Sequence, residues 1–211
     1  KISPGLSRKP DARGVIVATS MATGPIPPLK LRIEGGRIVK VEGEGAAADG
    51  WRQGVEQQKD VDYGFPHGKG VAWVEGVYTG THPKVIRPDF FNQNYFREQG
   101  SYNYWWCDIK RSGFIHIGFG KGWSGSDGLK EDLPAWHSDV FLPYPTVYVN
   151  GKKIVDNGHL LVLDDPEIRR IAAKYGDPDE LLREEWVPPY DADPSIKGHY
   201  TRQQHEAVLK S

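Results

Sequence analysis

The sequence predicts an α+β fold, a β-rich domain of hairpins with few helices. Two glycine turns carry that expectation first. Alternating apolar and polar residues flank Glu34-Gly35-Gly36 in "LKLRIEGGRIVKVEG" and Asn150-Gly151 in "TVYVNGKKIV", and both dipeptides accept the positive φ of a tight hairpin turn. The composition carries it next. Seven Trp, ten Tyr, seven Phe, 25 Gly and 16 Pro in 211 residues suit strands and shaped loops better than a helix bundle. Finally, one stretch late in the chain has a complete helix signature. In "DPEIRRIAAKYG", 165–176, Asp165 is an N-cap, Pro166 takes the first helical position and Gly176 stops the helix.

In chain order, "GVIVATS" at 14–20 reads as a short strand, and 29–43 as a hairpin. Residues 45–58 suit a short helix that Gly50 and Gly54 weaken. "GVAWVEGVYTG", 70–80, reads as a strand. The stretch 82–106 is irregular and aromatic, as a pocket-lining loop would be. Residues 112–128 begin as a strand and dissolve into a Gly-rich loop, and "SDVFL" is a strand that leads to the second hairpin. Residues 186–211 read as a polar tail that wraps a surface or a neighbour. The expected division is a β-rich domain over 1–163, then a helix and extended tail over 164–211 that packs on the domain or on a neighbouring subunit. No internal repeat is present.

The balance of 27 basic and 28 acidic residues, without a Lys/Arg run, argues against a nucleic-acid partner. No apolar run is long enough to span a membrane, and no signal peptide is visible, so the expectation is a cytoplasmic protein without a membrane partner. The single cysteine, Cys107, excludes a disulfide framework within the chain. Its "WWCD" setting raises a thiol pKa rather than activating it. The Gly-rich "GFGKGWSGSDG" lacks the Lys-Ser/Thr pair of a phosphate loop. The chain starts at Lys1, which suits a processed or partial chain.

The chemistry-bearing residues are Glu75, His82, His116, His137 and Asp139, each at or just after a strand-like segment. In "PAWHSDVFLPYP", His137 and Asp139 stand two apart, so a strand aims both from the same face. Trp136, Phe141 and Leu142 frame them, and a buried imidazole–carboxylate pair needs partners, of which a metal is one. Plainer readings stand beside this: a wet strand face for the pair, a carboxylate paired with Arg87 or Arg111 for Glu75, and a core histidine for His116. His67 reads as a loop residue, His159 as a turn residue, and His199 and His205 as solvated.

The ordered series "MATGPIPPLKLRIEGGRIVKVEG", "WVEGVYTGTHPK", "GFIHIGFG" and "WHSDVFLPYPTVYVNGKKIVDNG" resembles the C-terminal part of the aminopeptidase T type of metallo-aminopeptidase. It is more similar still to the related 2,5-dihydroxypyridine 5,6-dioxygenases. The resemblance covers about 14–160. It implies a metal-binding domain in which His137 and Asp139 are metal ligands. In the peptidases Glu75 and His116 would match further ligands. In the dioxygenases, whose site is a single Fe(II) on two His and one Asp, the third ligand would be His82, with His116 and Glu75 as alternatives. The peptidases' more N-terminal bridging glutamate has no counterpart in "KISPGLSRKPDARG", which favours one metal ion over two. The N-terminal half of both groups is absent from this chain.

The resemblance therefore implies a mononuclear non-haem Fe(II) enzyme that opens a hydroxylated aromatic or heteroaromatic ring with O₂. His82, His137 and Asp139 would hold the metal. Glu75 and His116 would move protons, and Tyr102, Tyr104, Trp105 and Trp106 would stack on the substrate. A metal-dependent hydrolase, aminopeptidase-, amidase- or cyclohydrolase-like, with Zn or Co and Glu75 as base, is the alternative. A non-catalytic partner subunit is the third reading. The expected assembly is a homo-oligomer, or a pairing with a chain that carries the missing N-terminal half.

Overall fold

The structure is a computed structural model, and it describes residues 12–21, 24–65, 67–85, 109–121, 132–142 and 144–184. The chain divides into two compact units. The first takes in Pro25–Tyr78 and His116–Phe141 together with the chain up to Met21; the second takes in Thr79–Ile115 and Leu142–Ser211. The units interleave along the sequence, whereas the sequence suggested a single boundary at 163/164.

The first unit is built on a six-stranded sheet. Its strands are β1 (Gly14–Met21), β2 (Gly24–Glu34), β3 (Arg37–Glu42), β4 (Val74–Thr79), β5 (Ile115–Lys121) and β6 (Trp136–Leu142), in the order β3-β2-β1-β6-β5-β4. The hairpin of β2 and β3 turns where expected. Gly35 and Gly36 have φ of 56° and 73°, the left-handed pair that a type I′ turn requires. Leu31 faces Val41, and the register shifts between Arg32 and Ile33 so that Ile33 meets Ile38. Ser20 of β1 pairs antiparallel with Phe141 of β6.

The predicted strand at 70–80 begins late. Gly70 has φ +80°, and Ala72–Val74 approach β3 instead. Ile38 donates to Ala72 O at 2.8 Å and Val74 to Gly36 O at 2.8 Å, around an antiparallel bridge of Arg37 with Trp73. The two outermost strands thus meet at one bridge, and the sheet curls round into a ring joined there.

Helix α1 (Gly45–Gln57) forms despite its two interior glycines. It buries Ala48, Trp51 and Gly54, spaced so as to share one helix face. Trp51 meets Phe119 edge-on at 5.3 Å and Trp136 at 5.2 Å. Gly54 has a packing reason, since a Cβ there would fall 1.9 Å from Trp136 Nε1. Trp136 and Phe119 thereby turn one face of β5 and β6 to the helix. His116, Gly118, His137, Asp139 and Phe141 are left for the opposite face, by the two-residue period of a strand.

The second unit carries a three-stranded antiparallel sheet of β7 (Val147–Val149), β8 (Lys152–Asp156) and β9 (His159–Leu160), in that order. Its first hairpin turns at Asn150 and Gly151, with φ of 50° and 77°. A 3₁₀ turn (Leu161–Asp164) follows, then α2 (Pro166–Ala172) and α3 (Pro178–Leu181). Asp165 caps α2 by accepting from the Glu167 and Ile168 N–H groups. The helix stops at Ala172 rather than running to Gly176. Lys174 and Tyr175 donate to Ile171 and Ala172 carbonyls, a three-residue spacing that tightens the last turn. The tail expected over 186–211, the aromatic stretch 86–106 and Cys107 lie outside the described residues.

Candidate functional site

On the face of β5 and β6 turned away from α1, His116, His137 and Asp139 converge. Both imidazole Nε2 atoms approach one carboxylate oxygen, His116 at 2.6 Å and His137 at 3.3 Å from Asp139 Oδ1. Burial works to raise the Asp139 pKa, but the hydrogen bonds and charge of His116 and His137 outweigh it and hold the carboxyl down at about 2. Asp139 is therefore an anion at neutral pH and can only accept, which puts a proton on each facing Nε2. The His116 and Asp139 side chains are 11% and 10% exposed, and His137 is the most open at 27%.

Gly118 lies between the two strands' contributions. A Cβ placed on it would stand 3.1 Å from Asp139 Oδ1, 3.1 Å from Glu75 Oε2 and 3.4 Å from His137 Cε1. The absent side chain thus leaves space that two carboxylates and an imidazole border. Glu75 comes from β4. Its Oε2 accepts from the Tyr78 hydroxyl at 2.7 Å. The Tyr78 ring stacks on His116, with centroids 5.0 Å apart and planes at 26°. Phe141 meets the same imidazole edge-on at 5.6 Å. Burial pushes the Tyr78 phenol pKa up, helped by its bond to Glu75 and by the Glu75 and Asp139 charges, so the hydroxyl stays a donor.

Of the residues singled out from sequence, Glu75, His116, His137 and Asp139 come together within the first unit. His82 belongs to the second unit, where its Nδ1 accepts from the Lys84 N–H at 3.1 Å and its backbone bridges to Arg111. Tyr102, Tyr104, Trp105 and Trp106 lie outside the described residues. Sequence reasoning missed Tyr78 and Gly118. Tyr78 reads as an ordinary strand aromatic, and Gly118 is hidden at the head of a Gly-rich stretch.

A small divalent ion suits this donor set. Donors about 2.1 Å from a shared ion stand about 3.0 Å apart in an octahedral shell and about 3.4 Å in a tetrahedral one. The 3.3 Å separation matches such an edge, the 2.6 Å one is a direct hydrogen bond shorter than either, and the donors are of the two-imidazole, one-carboxylate kind. Among the described residues no three of His, Cys, Asp and Glu already ring a common point as a bound ion requires. Asp139 Oδ1 holds the central place, with two protons where a cation would be. Holding an ion there means clearing Nε2 of its proton, which a neutral imidazole does by shifting that proton to Nδ1.

The remaining predicted non-ligand His with a described environment behave differently. His67 stacks on Trp73 at 4.1 Å. His159 is not the turn residue expected: it is a buried residue of β9. Its Nδ1 lies 2.6 Å from Glu184 Oε2 and its Nε2 2.7 Å from Asp164 Oδ2. Glu184 Oε1 also accepts from Ser112 Oγ at 2.5 Å and from the Leu160 N–H at 3.1 Å. This second cluster is a fully engaged clasp in the second unit.

No family model and no curated protein matches the chain. Among solved structures, the 2,5-dihydroxypyridine dioxygenase of Pseudomonas putida KT2440 is similar to it, with 19% identity and a TM-score of 0.49. The match covers 71% of this chain and 40% of that one, so the chain corresponds to less than half of that enzyme's length. No helix among the described residues is long and apolar enough to cross a membrane.

Proposed function

We propose that the first unit is the metal-holding part of a mononuclear non-haem Fe(II) enzyme that opens a hydroxylated aromatic or heteroaromatic ring with O₂. The observation that carries this is the approach of two imidazole nitrogens to Asp139, beside a glycine that Glu75 also borders. In this reading His116, His137 and Asp139 hold the ion. His116 takes the place that the sequence resemblance gave to His82, because it already lies against Asp139 in the same unit. When bound, Fe(II) supplies open positions at which a substrate hydroxyl and O₂ can meet.

The chain's own groups do the rest. Asp139 stays anionic, and before an ion binds it holds both imidazole Nε2 atoms against its Oδ1. Glu75, facing the same point, accepts the proton of the substrate hydroxyl at Oε1 or Oε2. Phe141 and the Tyr78 ring wall one side of His116 and limit water there. Both oxygen atoms end in the ring-opened product, so the reaction needs no external reductant.

The test is metal analysis after anaerobic reconstitution with ferrous ion, followed by oxygen-electrode assays with dihydroxylated pyridines and benzenes. The expected result is about one iron per chain, lost in His137→Ala and Asp139→Ala, with oxygen uptake that depends on substrate. Metal content unchanged in both variants would sink the site. Zinc-supported hydrolysis without oxygen uptake would replace the dioxygenase with the hydrolase.

A further inference from the structure

We propose that Tyr78 is the positioning residue of this site, fixing Glu75 through its hydroxyl and the plane of His116 through its ring. The proposal rests on the metal reading above but on different contacts. A strand residue three positions from Glu75 ordinarily points to the other face of its sheet. Tyr78 nevertheless reaches Glu75 Oε2 at 2.7 Å. Gly76 explains how. A Cβ on Gly76 would fall 2.5 Å from both Tyr78 Cζ and its hydroxyl oxygen, so the ring folds back over the one residue of the strand with no side chain to stop it.

The folded-back ring then does two things at once. It lies face to face with His116 at 5.0 Å, which restricts rotation of that imidazole about its Cβ–Cγ bond. Its hydroxyl donates to the same Glu75 oxygen that faces the Gly118 gap. Tyr78 therefore sets the direction of the site's second carboxylate and of one of its two imidazoles, from outside the donor set. Outer groups that orient ligands are worth about 10- to 100-fold in metal affinity.

Three variants separate the roles. Tyr78→Phe removes the hydrogen bond and keeps the stack. Tyr78→Leu removes both. Gly76→Ala evicts the ring without altering Tyr78. With Co(II) as the probe in calorimetric titrations, we expect about tenfold weaker binding in Tyr78→Phe and a further loss in Tyr78→Leu and Gly76→Ala. Melting temperatures of the metal-free proteins should change little in Tyr78→Phe. Ring-proton resonances of His116 in the metal-free protein should move in Tyr78→Leu and Gly76→Ala but hardly in Tyr78→Phe.

Co(II) affinity within twofold of the parent in all three variants overturns the proposal while leaving the metal reading intact. If the parent itself binds no Co(II), the metal reading fails. The His116 resonances then decide on Tyr78 alone, and unmoved signals in Tyr78→Leu and Gly76→Ala overturn it.

Discussion

The two units each bury a histidine–carboxylate cluster, and they build it in opposite ways: a histidine between two carboxylates in the second, a carboxylate between two histidines in the first. In the second unit Glu184 takes three hydrogen bonds, from Ser112, His159 and the Leu160 backbone, and His159 spends its other nitrogen on Asp164. Three separate stretches of chain are tied there, and the cluster has the character of a fastener. In the first unit two imidazoles crowd one oxygen of Asp139, and a second carboxylate faces a gap left by a glycine. The same residue types give a knot in one place and a socket in the other. The difference lies in the central carboxylate: Glu184 gathers a hydroxyl, an imidazole and a backbone N–H on two oxygens, whereas Asp139 takes two imidazoles on one.

Glycine substitution should separate the clusters most sharply. Beside the knot, Gly113 has φ +75° and its missing Cβ would lie 1.9 Å from Gly158 O. Gly113→Ala should cost about 3 kcal/mol or more, read as a collapse of the denaturation midpoint. Beside the socket, Gly118→Ala meets side-chain atoms at 3.1 Å or beyond, without a positive φ. It should fold, with stability changed by about 1 kcal/mol, and weaken Co(II) binding about tenfold. Equal stability losses at the two glycines would erase the distinction.

Removing the central carboxylate of the knot comes next. Glu184→Ala leaves Ser112, His159 and the Leu160 N–H without their buried acceptor. It should cost about 3 kcal/mol in chemical denaturation.

Acidity should then act on the two clusters in opposite senses. Asp139 is lowered from 3.8 to about 2. In the metal-free protein its contribution, about 2 kcal/mol, is complete above 3.8 and is lost as pH falls towards 2. His159 is raised from 6.5, chiefly by its bond to Glu184, against burial and with help from Asp164. Its contribution is complete below 6.5 and fades as pH rises through its folded value. Denaturation series from pH 2 to 9 should show the acid loss diminished in Asp139→Asn and the alkaline loss abolished in His159→Gln. The smallest effect belongs to the knot's outer arm: Asp164 is 63% exposed, and Asp164→Asn should change stability by about 0.5 kcal/mol or less.

Much of the fold could be read from local chemistry. The turns at Gly35-Gly36 and Asn150-Gly151 and the Asp165 cap are decided by a few adjacent residues, and each is found in place. The His137-x-Asp139 pair is also local, because a strand's period alone puts both on one face. What failed to show in the sequence depends on distant partners. The late start of β4 comes from the pairing of Trp73 with Arg37. Ser112 and Glu184 carry no sign of each other, and His159 in "DNGHL" resembles any turn histidine until β9 and Glu184 bury it. Tyr78 escaped notice for a different reason. Its side chain leaves the face that strand alternation assigns, and only the bare backbone of Gly76 permits that.

The ring of strands has a consequence for the order of events during synthesis. β1 is among the first parts of the first unit to emerge, and its neighbour β6 is the last. Pairings between such distant segments form late, because a long loop must close before any contact rewards it. His137 and Asp139 arrive on that final strand. The socket is therefore completed by the same step that closes the ring. Until then His116 has no Asp139 to meet.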